Sequence, residues 1–196
     1  MEPVKIKDIG KFRIKIMPDE DPESPRDWDN LGTMVCFHGR YNLGDSNHGY
    51  KDSDHSNWAE LKKQIEKDHD VLVILPLFLY DHSGITMSTG PFSCGWDSGQ
   101  VGWIFTTKQK VRENFEVKRI NQKLKDKIKT YLEGEVETYD QYLRGDVYGF
   151  EIYEVTTCNL GHEHETDVDS CWGFYGEDTA MEEAEAVVQG IIEHIN

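Results

Sequence analysis

No run of about 18 apolar residues occurs anywhere in this 196-residue chain, so no membrane-spanning helix is expected. Nucleotide-binding signatures are missing too: there is no P-loop and no G-x-G-x-x-G, and the H-x-E…P-C-x-x-C pattern of zinc deaminases is absent. No cysteine-hydrolase signature and no internal repeat is present. Cysteine is scarce, with four residues, and the opening Met1-Glu2-Pro3-Val4-Lys5-Ile6-Lys7 lacks a hydrophobic leader. Free thiols or metal ligands in a cytoplasmic protein are therefore expected rather than disulfides. The most informative shortage is of positive charge late in the chain. Residues 133–196 hold 17 Asp/Glu and one base, Arg144.

That segment carries the entire formal charge of −16, because residues 1–132 balance 20 bases against 20 acids. Directly upstream, residues 108–129 hold nine bases and three acids. An acidic excess of this size disfavours direct binding to nucleic acid or to anionic lipid, both of which need a basic footprint. It favours encounter with a basic protein surface. Self-association, with the basic stretch of one copy meeting the acidic third of another, is a further expectation.

Five Trp, nine Tyr and eight Phe mark a folding chain rather than a disordered one. Lys11–Met17 alternates as a half-buried strand, and Leu31–His38 suggests a second. Residues 39–56 form a long polar loop. Asn57-x-x-Glu60 caps a helix over 57–68. Asp70–Tyr80 is a strand apolar on both faces. Shorter strands follow at Ile85–Ser88 and Val101–Thr106, around a Gly-rich loop. Lys108–Phe115 reads as a short helix. Ile120, Leu124, Ile128 and Tyr131 line a helix that Gly134 is expected to interrupt, with a further short helix beyond. Val147–Val155 and Val168–Tyr175 read as strands joined by a polar hairpin. A last helix buries Ala180, Ala184, Val187, Val188, Ile191 and Ile195. The order predicts one α+β domain over 1–196, with three to four helices on a mainly antiparallel sheet.

Four constellations could carry chemistry. Glu133, Glu135, Glu137 and Asp140 form one acidic cluster; Glu177, Asp178, Glu182, Glu183 and Glu185 form another. Carboxylates on neighbouring helical turns, about 5–6 Å apart, can approximate a row of phosphates. The ordinary alternative is a solvated acidic surface, although such surfaces usually mix signs. Cys158, His162, His164 and Cys171 supply a Cys2His2 set for zinc at non-standard spacing. Without zinc, Cys171 would be a small core residue and no cofactor would be needed. Cys94 lies in a Gly-rich loop, with His38, His48, His55 and His82 as conceivable bases. Cys36-Phe37-His38-Gly39-Arg40 through His48, with Asp52 and Asp54 nearby, could hold a phosphate or a metal, or simply order its loop through Arg40 and Asp45 or Asp97.

Three stretches, Trp28–Asp45, Trp96–Ile104 and Asp169–Gly176, resemble a family of uncharacterised proteins encoded by bacteriophages and prophages. Glu135–Tyr142 matches as well, and the resemblance runs from about residue 11 to 176. It implies a phage accessory product in the cytoplasm of a bacterial host, and it transfers no catalytic residue. In that setting the leading expectation is a binder of a basic host surface, with a nucleic-acid mimic that blocks a nuclease or defence complex as its finer form. A small metal- or cysteine-dependent enzyme built on the Gly- and His-rich loops is the rival.

Overall fold

The alternating strands and amphipathic helices assemble into an α+β structure, seen in a computed structural model that describes residues 2–195, without the side chain of residue 195. All strand pairing is antiparallel, and the strands fall into two four-stranded sheets rather than the one expected. Close backbone contacts divide the chain into two compact units, residues 1–23 with 145–196 and residues 24–144.

The first unit is discontinuous in sequence. Strands β1 (Lys5–Ile9), β2 (Phe12–Pro18), β7 (Val147–Thr157) and β8 (Glu163–Tyr175) pair in that spatial order. Strand β1 is an addition to the sequence reading. Its side chains are largely exposed at a sheet edge, so it carries no alternating apolar signal. One face is covered by α4 (Glu177–Ile195). Phe12, Ile14 and Ile16 of β2 and Phe150 and Ile152 of β7 pack there on Ala180, Met181, Ala184 and Val188. The other face holds Arg13, Lys15, Glu151 and Tyr153. The β7–β8 hairpin is longer than expected, since its strands run on to a turn at residues 158–162. Strand β8 holds extra residues near Val168 and near Trp172–Gly173. At the second of these, the Trp172 ring lies over Gly149, where a Cβ would come within 2.3 Å of it.

The second unit is a three-layer sandwich. Its sheet has the order β3 (Thr33–Cys36), β6 (Ser98–Thr107), β4 (Val71–Asp81), β5 (Ile85–Ser88). Residues alternate between faces. Met34, Leu79, Met87 and Ile104 pack on one side against Ile128, Leu132, Val136 and Tyr139 of α3 (Gln122–Arg144). Val35 and Phe105 pack on the other against Leu61 and Ile65 of α1 (Trp58–Asp68). The short α2 (Lys108–Asn114) adds Val111 to the α3 side. Helix α3 runs unbroken through Gly134. Its buried stripe spans the glycine on both sides, and this packing outweighs a propensity loss of about 1 kcal/mol. Among the described residues, no helix is long and apolar enough to cross a membrane.

Two glycines of the second unit should respond oppositely to alanine. A Cβ at Gly102 would sit 2.0 Å from the Val35 carbonyl oxygen of the neighbouring strand, whereas nothing lies within 4 Å of one at Gly134. Denaturant unfolding should show Gly102→Ala losing about 3 kcal/mol or more and Gly134→Ala gaining up to about 1 kcal/mol.

Candidate functional site

Each acidic cluster is held by one helix, and the two helices belong to different units. On α3, alternate carboxylates do different work. Glu135 turns inward: its oxygens accept hydrogen bonds from the backbone N–H of Leu31 at 2.7 Å and of Gly32 at 3.1 Å, and from Arg26 at 3.3 Å. Arg26 also donates to Asp45 through Nε at 2.7 Å and Nη2 at 3.1 Å, and to the Gly32 carbonyl at 2.8 Å. Its side chain is 4 % exposed. Burial opposes its charge, but the two carboxylates outweigh burial and hold the guanidinium above its ordinary value. Asp45 additionally accepts from the Met34 N–H at 2.9 Å, joining the long loop to β3. Asp140 is committed as well, accepting from the Met87 N–H at 2.6 Å and from Arg144 at 3.0 Å. Two of the four acids expected on a partner-facing surface are therefore internal fasteners, because their spacing places them on the side of α3 that meets the sheet and the residue 24–34 segment. Glu133 faces Lys129 at 3.5 Å, and Glu137 is exposed.

The first unit concentrates the charge. It contains 19 Asp/Glu and five Lys/Arg, a net −14, against 18 and 16 in the second. All five of its bases are engaged by its own acids. Lys5 meets Glu177 at 2.8 Å and Asp178 at 3.4 Å; Lys7 meets Glu185 at 2.6 Å; Lys11 meets Glu154 at 2.7 Å. Arg13 binds Asp8, Glu163 and Glu165 at 2.8–3.2 Å, and Lys15 also pairs with Glu165. These cations hold Asp8 and Glu165 below the usual carboxylate range, the hydrogen bond from Arg13 acting on the first and that from Lys15 leading on the second. Among the described residues, Asp167, Asp169, Glu182 and Glu183 are exposed and have no cation within 4.0 Å. The second acidic cluster thus divides into Glu177, Asp178 and Glu185, which fasten β1, and Glu182 and Glu183, which point outward.

The zinc set does not converge. Cys158 and His162 face each other across the hairpin turn, with the Cys158 N–H donating to the His162 carbonyl at 2.9 Å, and His164 lies two residues on, opposite Thr156. Cys171 pairs with Phe150, seven residues further along β8. That separation is about 20 Å of extended chain, far beyond one tetrahedral shell. Cys171 is exposed rather than a core residue. Among the described residues, no group of three or more His, Cys, Asp or Glu is placed to hold a metal.

The His-rich loop of the second unit borders a cleft of about 580 Å³ lined by His38, His48, Tyr41, Tyr50, Trp58 and Gln100, among others. His38 Nδ1 accepts the N–H groups of Arg40 and Tyr41 at 3.3 Å, and His48 Nδ1 accepts that of Tyr50 at 3.0 Å. In this arrangement the proton of each neutral ring sits on Nε2. Burial holds His48 below its ordinary value, although Asp45 opposes this. Arg40 orders the loop through Asp81, which also accepts from the Tyr41 hydroxyl at 3.2 Å; neither Asp45 nor Asp97 is its partner. The Cys94 thiol contacts the Asp97 carboxylate at 3.8 Å, and His82 takes the same carboxylate at 3.3 Å. Among the described residues no imidazole hydrogen-bonds the thiol. Burial pushes the Cys36 thiol up to about 12, which makes it inert near neutral pH.

Comparison with known proteins finds no match to a protein-family model, to a curated protein or to a solved structure.

Removing Glu135 strips the Leu31 and Gly32 N–H groups of their acceptor and leaves Arg26 only Asp45 as counter-charge, so Glu135→Ala should cost about 3 kcal/mol. Glu137→Ala, on the exposed side of the same helix, should change stability by about 0.5 kcal/mol or less; chemical denaturation of both variants checks this. The depressed His48 value carries its own sign. As pH falls from about 7, the unfolded chain takes up this proton first, so stability drops. Thermal melts between about pH 7 and pH 5 should show a shallower decline in His48→Gln than in the parent.

Proposed function

We propose that the chain is a binding protein that docks on a basic surface of another protein through its first unit. The observation that carries this reading is the unit's net charge of −14 with all five of its bases engaged by its own acids, together with Asp167, Asp169, Glu182 and Glu183 exposed and without a cation within 4.0 Å. Fields of this sign raise encounter rates with basic grooves and repel nucleic acid and anionic lipid. Asp167 and Asp169 on β8 and Glu182 and Glu183 on α4 are the residues assigned to the contact. The resemblance to phage accessory proteins supplies the setting, in which the partner is a host protein whose basic groove normally receives nucleic acid. Occupying that groove would inhibit a nuclease or defence complex by competition.

The test is capture from a bacterial lysate. Retained proteins should carry basic, nucleic-acid-binding surfaces, should elute as salt rises from about 0.1 M to about 1 M, where the screening length shrinks from about 10 Å to about 3 Å, and should be displaced by duplex DNA. Reversal of Asp167, Asp169, Glu182 and Glu183 to Lys should abolish capture with an unchanged melting temperature, since these side chains are exposed. Retention of the same partner by the reversed variant would contradict the reading.

A further inference from the structure

Glycine weakens a helix interior relative to alanine, yet Gly134 stands in the middle of α3 with open space where a Cβ would be. No packing contact requires it. Its bare backbone forms the floor of a cleft of about 470 Å³, walled by Pro25, Trp28 and Tyr131 and bordered by Lys127 and Thr138. Trp28 and Tyr131, which both line it, keep 44 % and 47 % of their surface exposed. Lys127 lies 5.4 Å from the Phe115 ring and 5.6 Å from the Tyr131 ring, which brings a positive charge to the aromatic wall. Lys123 sits one turn earlier on the same helix face. Both belong to the basic stretch of residues 108–129.

The first unit presents the complement. Leu160, at the turn between β7 and β8, is 84 % exposed. It is followed by Glu163 and Glu165, which pair with Arg13 and Lys15, and by Asp167 and Asp169, which have no cation within 4.0 Å, and no Lys or Arg occurs between residues 145 and 196. An apolar tip on an acidic hairpin complements, in polarity and sign, an apolar notch flanked on one side by the lysines of the first turns of α3.

We propose that the β7–β8 turn of one copy docks into the Gly134 cleft of a second copy, with Leu160 filling the space above the glycine and the β8 acids meeting Lys123 and Lys127. The contact is heterologous, a turn on one copy meeting a cleft on another, so the contacts either close in a ring or continue. One small plug and a few exposed charges make it weak and salt-sensitive.

Sedimentation of the purified chain tests this. From about 10 µM to about 500 µM at about 50 mM salt, the mean mass should rise above that of one chain, and the association constant should fall about tenfold or more at about 500 mM salt. Leu160→Ser and Gly134→Leu should each lower it about tenfold or more while keeping the parent's circular dichroism. An equimolar mixture of the two variants retains one intact turn and one intact cleft, so it should form a complex of two chains and no larger. A single-chain mass for the parent throughout would overturn the proposal, as would variants that associate like the parent or a mixture that stays monomeric. No other protein takes part, so a negative result leaves the host-surface reading standing.

Discussion

The buried Arg26 guanidinium is the constraint on which the second unit rests. A charge this deeply covered is tolerated only when fully satisfied. Two carboxylates and a carbonyl do so, from three places in the chain: Asp45 in the long loop, Gly32 before β3 and Glu135 on α3. The same carboxylates reach beyond the arginine to the backbone N–H groups of Leu31, Gly32 and Met34. A segment with little apolar content is thereby fixed to the helix that covers the sheet. Gly32 shows how tight this is, because a Cβ there would lie 2.8 Å from Glu135 Oε2 and 2.7 Å from Ile104. The 3-10 turn Pro25–Asp27, capped by the Ser24 hydroxyl, presents Arg26 to the network.

Charge is divided by unit rather than by position along the chain. The first 23 residues bring the only five bases into the acidic unit, and the fold sets them against β7, β8 and α4 acids. Pairing consumes the bases without neutralising the unit. The second unit nearly balances, yet its bases are gathered on residues 108–129 beside an apolar cleft. The two proposals share the β8 acids: Asp167 and Asp169 are read as meeting a basic host surface in one and the lysines beside the Gly134 cleft of a second copy in the other, so the two partners would compete for the hairpin.

Much of the secondary structure was legible because periodicity reports burial. Val71–Asp81 and Ile85–Ser88 match the expected strands closely, and Asn57 caps α1 by accepting the Glu60 N–H at 3.0 Å. The misreadings have separate causes. Gly134 signalled a break from local propensity, but tertiary packing of the stripe on either side prevailed. Strand β1 and the outer half of β8 are exposed, so no hydrophobic pattern marked them. The number of sheets depends on non-local pairing, since β2 joins β7 across more than a hundred residues. The acidic clusters were visible as composition, but the division between fasteners and outward acids was not. Glu135 and Asp140 differ from Glu137 only in which side of α3 they occupy. Only the spacing against Leu132, Val136 and Tyr139 could have shown that.

The central claim is that the first unit carries recognition of basic surfaces. Amide chemical shifts of the isotope-labelled protein, followed during titration with an oligolysine peptide at low salt, test it residue by residue. The account predicts shifts centred on Asp167, Asp169, Glu182 and Glu183, and their collapse when salt is raised. Shifts centred on Glu133 and Glu137 of α3, or shifts that persist at high salt, would contradict it.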